Sequence, residues 1–312
     1  MDIETGRQRR DVVRGSLLGV AVGDGLGAPF EGAPPVLRRQ VEEWAAAPGP
    51  LRYTDDTAMT LVLAGHLGSR RGTVEEDRLA RDFAEEWRSD PDRGYGASPP
   101  RIFSAVLAGE DWAEVAAGVF GSGGSWGNGG AMRVAPVAHL PKPLADRAEL
   151  ARRQAAVTHA HALAQDGAAL QCAVVAAVAA SPGAVLDVEQ VVAEVAAHAS
   201  TDEFRRALDV VREAVTAGWP AERIATRLGT DVSALGSVPT AVALALRAPD
   251  DLETALVSAV EVGGDTDTIA AMVGAIVGAR VGERGVPAHL VARLEDADRI
   301  TAAADALATL RS

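Results

Sequence analysis

Apolar segments of helical period, separated by short loops rich in Gly, Pro and Asp, follow one another along almost the whole chain. The period is read at 9–22, 57–67, 75–88, 101–107, 112–120 and 145–180, the last with a break near Thr158. It returns at 188–199, 202–217, 221–228, 240–246, 252–260, 266–281 and 293–310. The Val-rich runs sit among Ala and lack turn-bounded alternation, so the pattern predicts an all-α chain. Composition agrees, with 48% hydrophobic and only 4% aromatic residues. Ala loses no side-chain entropy in a helix and lets neighbouring helices approach closely. No low-complexity linker or internal repeat divides the 312 residues, which predicts a single compact multi-helix domain over 1–312.

The formal net charge is −13. Repulsion of phosphate backbones at long range argues against general nucleic-acid binding, while a local site for an anionic ligand stays compatible with it. Cys172 is the only cysteine. Neither an internal disulfide nor a thiolate metal cluster can form, as suits a reducing cytoplasm. The charged start up to Arg14, followed by apolar 15–22, faintly imitates a signal peptide, but Asp24 interrupts the run. The apolar run 173–180 is too short to span a bilayer. The expectation is a cytoplasmic protein without a membrane segment, whose core pattern is compatible with a monomer.

Two acidic loops each open an apolar helix: Tyr53-Thr54-Asp55-Asp56-Thr57 and Gly263-Gly264-Asp265-Thr266-Asp267-Thr268. Either alone reads as a capped helix N-terminus, where Asp and Thr bind free backbone N–H groups. One cap suffices for a helix, and adjacent carboxylates repel, so the doubled acids in both loops ask for another reason. Hard divalent cations such as Mg²⁺ and Mn²⁺ take oxygen ligands. Asp55, Asp56, Asp265 and Asp267 would match the charge of two such ions, and Thr54 and Thr268 would add neutral oxygens. Asp265 and Asp267 can converge only if the helix begins at about this point. The expected metal site therefore lies at helix N-termini.

Residues 121–130 form a glycine-rich loop, Gly-Ser-Gly-Gly-Ser-Trp-Gly-Asn-Gly-Gly, leading into Ala131-Met132-Arg133-Val134. It reads either as a flexible linker or as a loop whose N–H groups receive phosphate oxygens at a helix start. It lacks the ending of a Walker loop and the preceding strand of a dinucleotide fingerprint. Phe120 and Trp126 either stack on a base from two sides or belong to the core. Thr158-His159-Ala160-His161 lies in an apolar helical stretch ahead of Asp166-Gly167. Histidines two apart on a helix point to different sides, which leaves a satisfied core histidine or a ligand hydrogen bond from His159.

In this order, the motifs resemble the ADP-ribosylglycohydrolase family. The resemblance is carried by the segments 15–19, 23–27, 53–59, 127–134, 158–159, 237–240 and 263–268. It is closest to the branch that releases ADP-ribose from serine and degrades poly(ADP-ribose), through 90–97 and 124–128. The resemblance implies two Mg²⁺ (or Mn²⁺) on Thr54, Asp55, Asp56, Asp265, Asp267 and Thr268. It implies a loop glutamate as acid/base, here Glu31, with Asp55, Asp56 and Asp267 completing the catalytic set. Substrate contacts carry over to Gly96, Phe120, Gly124, Ser125, Trp126, Gly127, Asn128 and His159, with Phe120 and Trp126 enclosing adenine. Trp126 stands where that branch has Tyr, which keeps stacking and changes the polar edge.

The implied partner is an ADP-ribosylated protein or small molecule, O-linked on serine first, with poly(ADP-ribose) or O-acetyl-ADP-ribose as variants and ADP-ribose as product. An ADP-ribosyl-arginine hydrolase is the alternative acceptor. A non-catalytic ADP-ribose-binding relative is the alternative class, since fold alone does not guarantee activity.

Overall fold

The apolar helix Thr266–Val281 is buried on all sides from Thr266 to Arg280, and other helices are laid around it. A helix hydrophobic all round has no solvent face and must lie inside. The computed structural model describes residues 3–121, 123–180 and 185–311; Ser122 of the glycine-rich loop lies outside the described residues. Among the described residues there is no strand, only isolated bridges between Leu51 and Leu294 and between Gly127 and Ser233.

In chain order the helices are α1 (Ile3–Gly27), α2 (Arg38–Ala46), α3 (Asp55–Ser69), α4 (Glu76–Ser89), α5 (Pro99–Leu107), α6 (Trp112–Gly118), α7 (Gly129–Met132), α8 (Ala135–Ala138) and α9 (Leu144–Ala156). They continue with α10 (Ala162–Ala179), α11 (Val188–Ala196), α12 (Asp202–Thr216), α13 (Ala221–Leu228), α14 (Ala234–Arg247), α15 (Leu252–Glu261), α16 (Thr266–Val281), α17 (Ala288–Val291) and α18 (Ala297–Ala308). Helices α1, α10, α14 and α15 pack against α16.

The tightest packing is that of α1 antiparallel to α16. Gly15, Gly19, Gly23 and Gly27 recur at four-residue spacing and so share one face of α1. A Cβ at Gly19 would collide with the Gly274 carbonyl, one at Gly23 with the Ala270 carbonyl, and one at Gly15 with the Gly278 carbonyl. The backbones meet where side chains would stand. Ser16 Oγ donates to the Ala275 carbonyl at 3.0 Å and Thr266 Oγ1 to the Gly27 carbonyl at 3.0 Å, which fixes the register.

Several elements differ from the sequence reading. Helix α1 continues past Val22 to Gly27, because the glycines are packed there rather than acting as breaks. Helix α2 carries no helical stripe that stands out, since only Val41 and Ala45 are buried. The expected 145–180 helix divides into α9 and α10, and residues 157–161 connect them, so His159 is not helical. His161 caps α10, its Nδ1 accepting from Leu163 N at 3.1 Å. Helix α14 begins at Ala234, before the Pro239 that lies inside it, with Ser233 as its cap. The expected 293–310 helix starts only at Ala297. Leu51 N donates to the Arg293 carbonyl and Glu295 N to the Leu51 carbonyl, and Asp296 has φ 53°, a left-handed value that interrupts a helix.

The apolar run at 173–180, all but its last residue, belongs to the 18-residue helix α10, whose mean hydropathy of 1.5 meets the length and composition of a membrane span. In the protein, 78% of that helix is buried against other helices. Its Asp166 is fully buried and accepts from Ser200 N, Thr201 N, Thr201 Oγ1 and Arg152 Nη2 at 2.7–3.1 Å. Burial alone would raise this carboxyl, but the hydrogen bonds outweigh it and hold the carboxyl below the usual aspartate range. A depressed pKa contributes stability above the unfolded value and loses it as pH falls through the folded value. Asp166→Ala is expected to cost about 3 kcal/mol near neutrality, read as a lower urea midpoint at unchanged slope. The gap to wild type should narrow below the usual carboxylate range; a gap unchanged down to acid pH would refute the charge-based account.

Candidate active site

The N-terminus of α3, the N-terminus of α16 and the loop after α1 open onto one cavity of about 220 Å³. Each element is anchored locally. Asp24, fully buried on α1, accepts from Thr54 N at 2.8 Å, Thr57 N at 3.0 Å and Thr57 Oγ1 at 2.6 Å. It thereby holds the start of α3, where Thr54 is the cap and its Oγ1 accepts from Asp56 N. On the other side, Gly263 and Gly264 have φ of 72° and 78°, and a Cβ on either would strike the backbone of Pro34 or Thr230. Gly32 N donates to the Gly264 carbonyl and Gly264 N to the Ala33 carbonyl, so the Glu31 loop is tied to the turn that presents Asp265.

These anchors bring the acids together. One ligand oxygen each from Glu31, Asp265 and Asp267 lies within 4.8 Å of the others. Thr268 Oγ1 reaches Asp56 Oδ2 at 3.4 Å, joining the two acidic loops. Asn128 Nδ2 donates to Asp265 Oδ2 and to Ser237 Oγ, the latter at 3.0 Å. Burial, then the neighbouring carboxylates, push Asp55 up to about 8 and Asp267 up to about 9. Asp56 is raised by burial and then by Asp267, and Glu31 by burial and then by Asp265. Asp56 Oδ1 and Asp267 Oδ1 are buried without a hydrogen-bond partner. Carboxylates so crowded cannot all ionise unaided, and partnerless oxygens in a hard-donor set fit divalent cations. Among the described residues, Glu31, Asp265 and Asp267 have the spacing of a cation site, and Asp55, Asp56 and Thr268 line the same cavity.

Glu31, Asp55, Asp56, Asp265, Asp267 and Thr268 line the cavity, as do Gly96, Phe120, Ser125, Gly127, Asn128 and His159. Thr54, Gly124 and Trp126 stand off its wall. Gly124, with φ of 70°, lets the loop pass Ala160, whose Cβ would lie 2.7 Å from an added Cβ. The expected aromatic pair does not enclose the cavity. Phe120, 65% exposed, lies at its edge, whereas the Trp126 ring packs edge-on against His161 with centroids 5.9 Å apart. The glycine-rich loop is not a free phosphate cradle along its length either. Gly127 N donates to Ser125 Oγ and Asn128 N to the Val232 carbonyl. Gly129 instead makes room for His159, whose Cε1 would lie 2.6 Å from an added Cβ. His159 bonds Thr158 Oγ1 through Nδ1 at 2.7 Å, and burial, then Arg133, push it down to about 3, so it is neutral.

Two residues of the site escape the sequence reading. Asp24 gives the signal of a charge inside an apolar helical run. Arg133 lines the cavity and is fully buried, its Nε and Nη2 bonding the side chain and carbonyl of Gln154 at 2.8 Å and its plane facing Phe83 at 4.5 Å. Burial lowers it to about 9.

A family model described as ADP-ribosylglycohydrolase matches residues 5–312. The fold is thus that of a hydrolase acting on glycosyl bonds. The chain belongs to the ADP-ribosylglycohydrolase family. It is 35% identical to ADP-ribosylhydrolase ARH3 of Gallus gallus and 33% identical to that of Homo sapiens, in each case over 88% of this chain and 86% of the relative. Among solved structures it is similar to an ADP-ribosylglycohydrolase-related protein complex, with a TM-score of 0.70, 25% identity, and coverage of 97% of this chain and 99% of that one.

Proposed function

We propose that this chain hydrolyses the glycosidic bond between ADP-ribose and a serine oxygen of modified proteins, with poly(ADP-ribose) and O-acetyl-ADP-ribose as related substrates. The observation that carries the reading is the pair of buried, partnerless carboxylate oxygens on Asp56 and Asp267, in a cavity with five acids and one arginine. Likeness to relatives named ADP-ribosylhydrolase supports the substrate class. The segments 90–97 and 124–128 support serine as the acceptor.

Thr54, Asp55, Asp56, Asp265, Asp267 and Thr268 would hold two Mg²⁺ or Mn²⁺, which when bound supply positive charge and Lewis acidity toward ribose hydroxyls and water. Glu31 holds the transferable proton. Its carboxyl donates to the serine oxygen as the bond to the anomeric carbon breaks, and its carboxylate takes a proton from the attacking water. Asp55, Asp56 and Asp267 supply negative charge beside the sugar as positive charge builds on it. Neutral His159 and Asn128 orient the substrate by hydrogen bonds, Ser125 and the glycine-rich loop hold the diphosphate, and Phe120 stacks on adenine. The whole chain acts as one domain and as a monomer, in the reducing cytoplasm that its single buried cysteine suits.

The test is release of free ADP-ribose from serine- and arginine-modified peptides, with Mg²⁺ and with a chelator. Metal-dependent release from the serine peptide alone is expected. Release from the arginine peptide alone would replace the acceptor, and tight ADP-ribose binding without release from either would replace the enzyme reading by a binding protein.

A further inference from the structure

The far end of the α1–α16 pair carries a second cavity, of about 340 Å³, that the hydrolase site does not use. Gly27 abuts Thr266 and Asp267, whereas Arg9 and Val12 lie fifteen to eighteen residues earlier on the same helix. At 1.5 Å per residue the two cavities are about 25 Å apart.

Arg9, His139 and Arg147 face this cavity. Arg9 Nη2 donates to the His139 carbonyl at 3.1 Å, and Arg147 Nη1 donates to the adjacent Ala138 carbonyl at 2.5 Å. Two guanidiniums are therefore gathered around consecutive backbone carbonyls. Other arginines near them in sequence are paired: Arg10 with Asp305, Arg14 with Asp305 and Glu283, Arg152 with Asp166 and Arg153 with Glu76. Among the described residues neither Arg9 nor Arg147 has a carboxylate within ion-pair distance, and the charged neighbour bearing on Arg9 is Arg147. His139 is 8% exposed, and its Nε2, like Arg147 Nε, has no hydrogen-bond partner. Burial, then Arg147 and Arg9, push the imidazole down to about 3, so it is neutral and one nitrogen is available to donate. In a chain of charge −13, carboxylates are plentiful, yet among the described residues none lines this cavity, which leaves it positive with unused donors.

We propose that this cavity binds the phosphate group of a small phosphomonoester, with Arg9 and Arg147 as paired cationic donors and His139 Nε2 as a neutral third. Guanidinium forks match phosphate oxygens bidentately. Apart from Gln8, the rest of the wall, including Val12, Val13, Ala176 and Ala179, is apolar, which suits a short carbon skeleton beside the phosphate.

Calorimetric titration of the full chain with inorganic phosphate and with glycerol 3-phosphate tests this. One site is expected, weakened at least about tenfold in Arg9→Gln and in Arg147→Gln and kept in Phe120→Ala, which alters only the catalytic cavity. Tighter binding of glycerol 3-phosphate assigns the site to a metabolite, and equal binding assigns it to free phosphate; both uphold it. Because Arg147 also ties down Ala138, Arg9→Gln and His139→Gln at matched urea midpoints carry the test if Arg147→Gln does not fold. No heat with either probe, or unchanged affinity in the arginine variants, overturns the proposal.

Discussion

Asp267→Asn is expected to lower kcat at saturating Mg²⁺ by at least about a thousandfold while the fold survives, a loss of about 4 kcal/mol of transition-state stabilisation. Asn keeps the size of the side chain but removes the charge and replaces one oxygen by a donor. Asp267 Oδ1 has no protein partner, so no hydrogen bond of the fold depends on it. Removing one of several repelling carboxylates also relieves the crowding that raises Asp55, Asp56 and Asp267. The urea midpoint should therefore stay at or above that of wild type. Asp55→Asn should behave alike. Wild-type turnover in either variant with metal present would remove the acidic cluster from the chemistry, and a collapsed midpoint would make its role structural.

The second large effect concerns the frame that holds these acids. Gly19→Val is expected to destabilise the protein by more than about 4 kcal/mol, enough to abolish soluble expression of a domain of ordinary stability. The added Cβ would enter the carbonyl group of Gly274, and neither backbone can retreat, because Gly15 and Gly23 are equally close to Gly278 and Ala270. Gly65→Ala is the control. Gly65 is exposed on α3 with nothing within 4 Å of an added Cβ, so the substitution should stabilise by about 0.5–1 kcal/mol. A folded Gly19→Val protein with a midpoint near wild type would show that α1 and α16 can separate without cost.

The glycines of α1 are an instance of what a linear reading leaves ambiguous. Their spacing is plain in the sequence, yet helical glycine alone costs stability, and only a backbone packed against that face turns it to advantage. Arg133 is similar: an isolated arginine after Ala131-Met132 looks like an ordinary polar position until Gln154, Phe83 and Met59 are seen to surround it. Trp126 is a different case: its place in the chain suggests a partner for Phe120, and in the fold its ring is largely exposed and packs edge-on against His161.

The sequence by itself determined the all-helical class and the placing of two acidic loops at helix starts. It also placed His159 near a break, because period, capping and composition are local properties. Only the tertiary structure decided that Asp24 would hold Thr54 and Thr57, that Glu31 would meet Asp265 and Asp267, and that Arg9 and Arg147 would share a cavity. Those contacts join residues far apart in the chain, and they depend on how closely two backbones can approach. That closeness is set by the side chains absent from the α1–α16 interface.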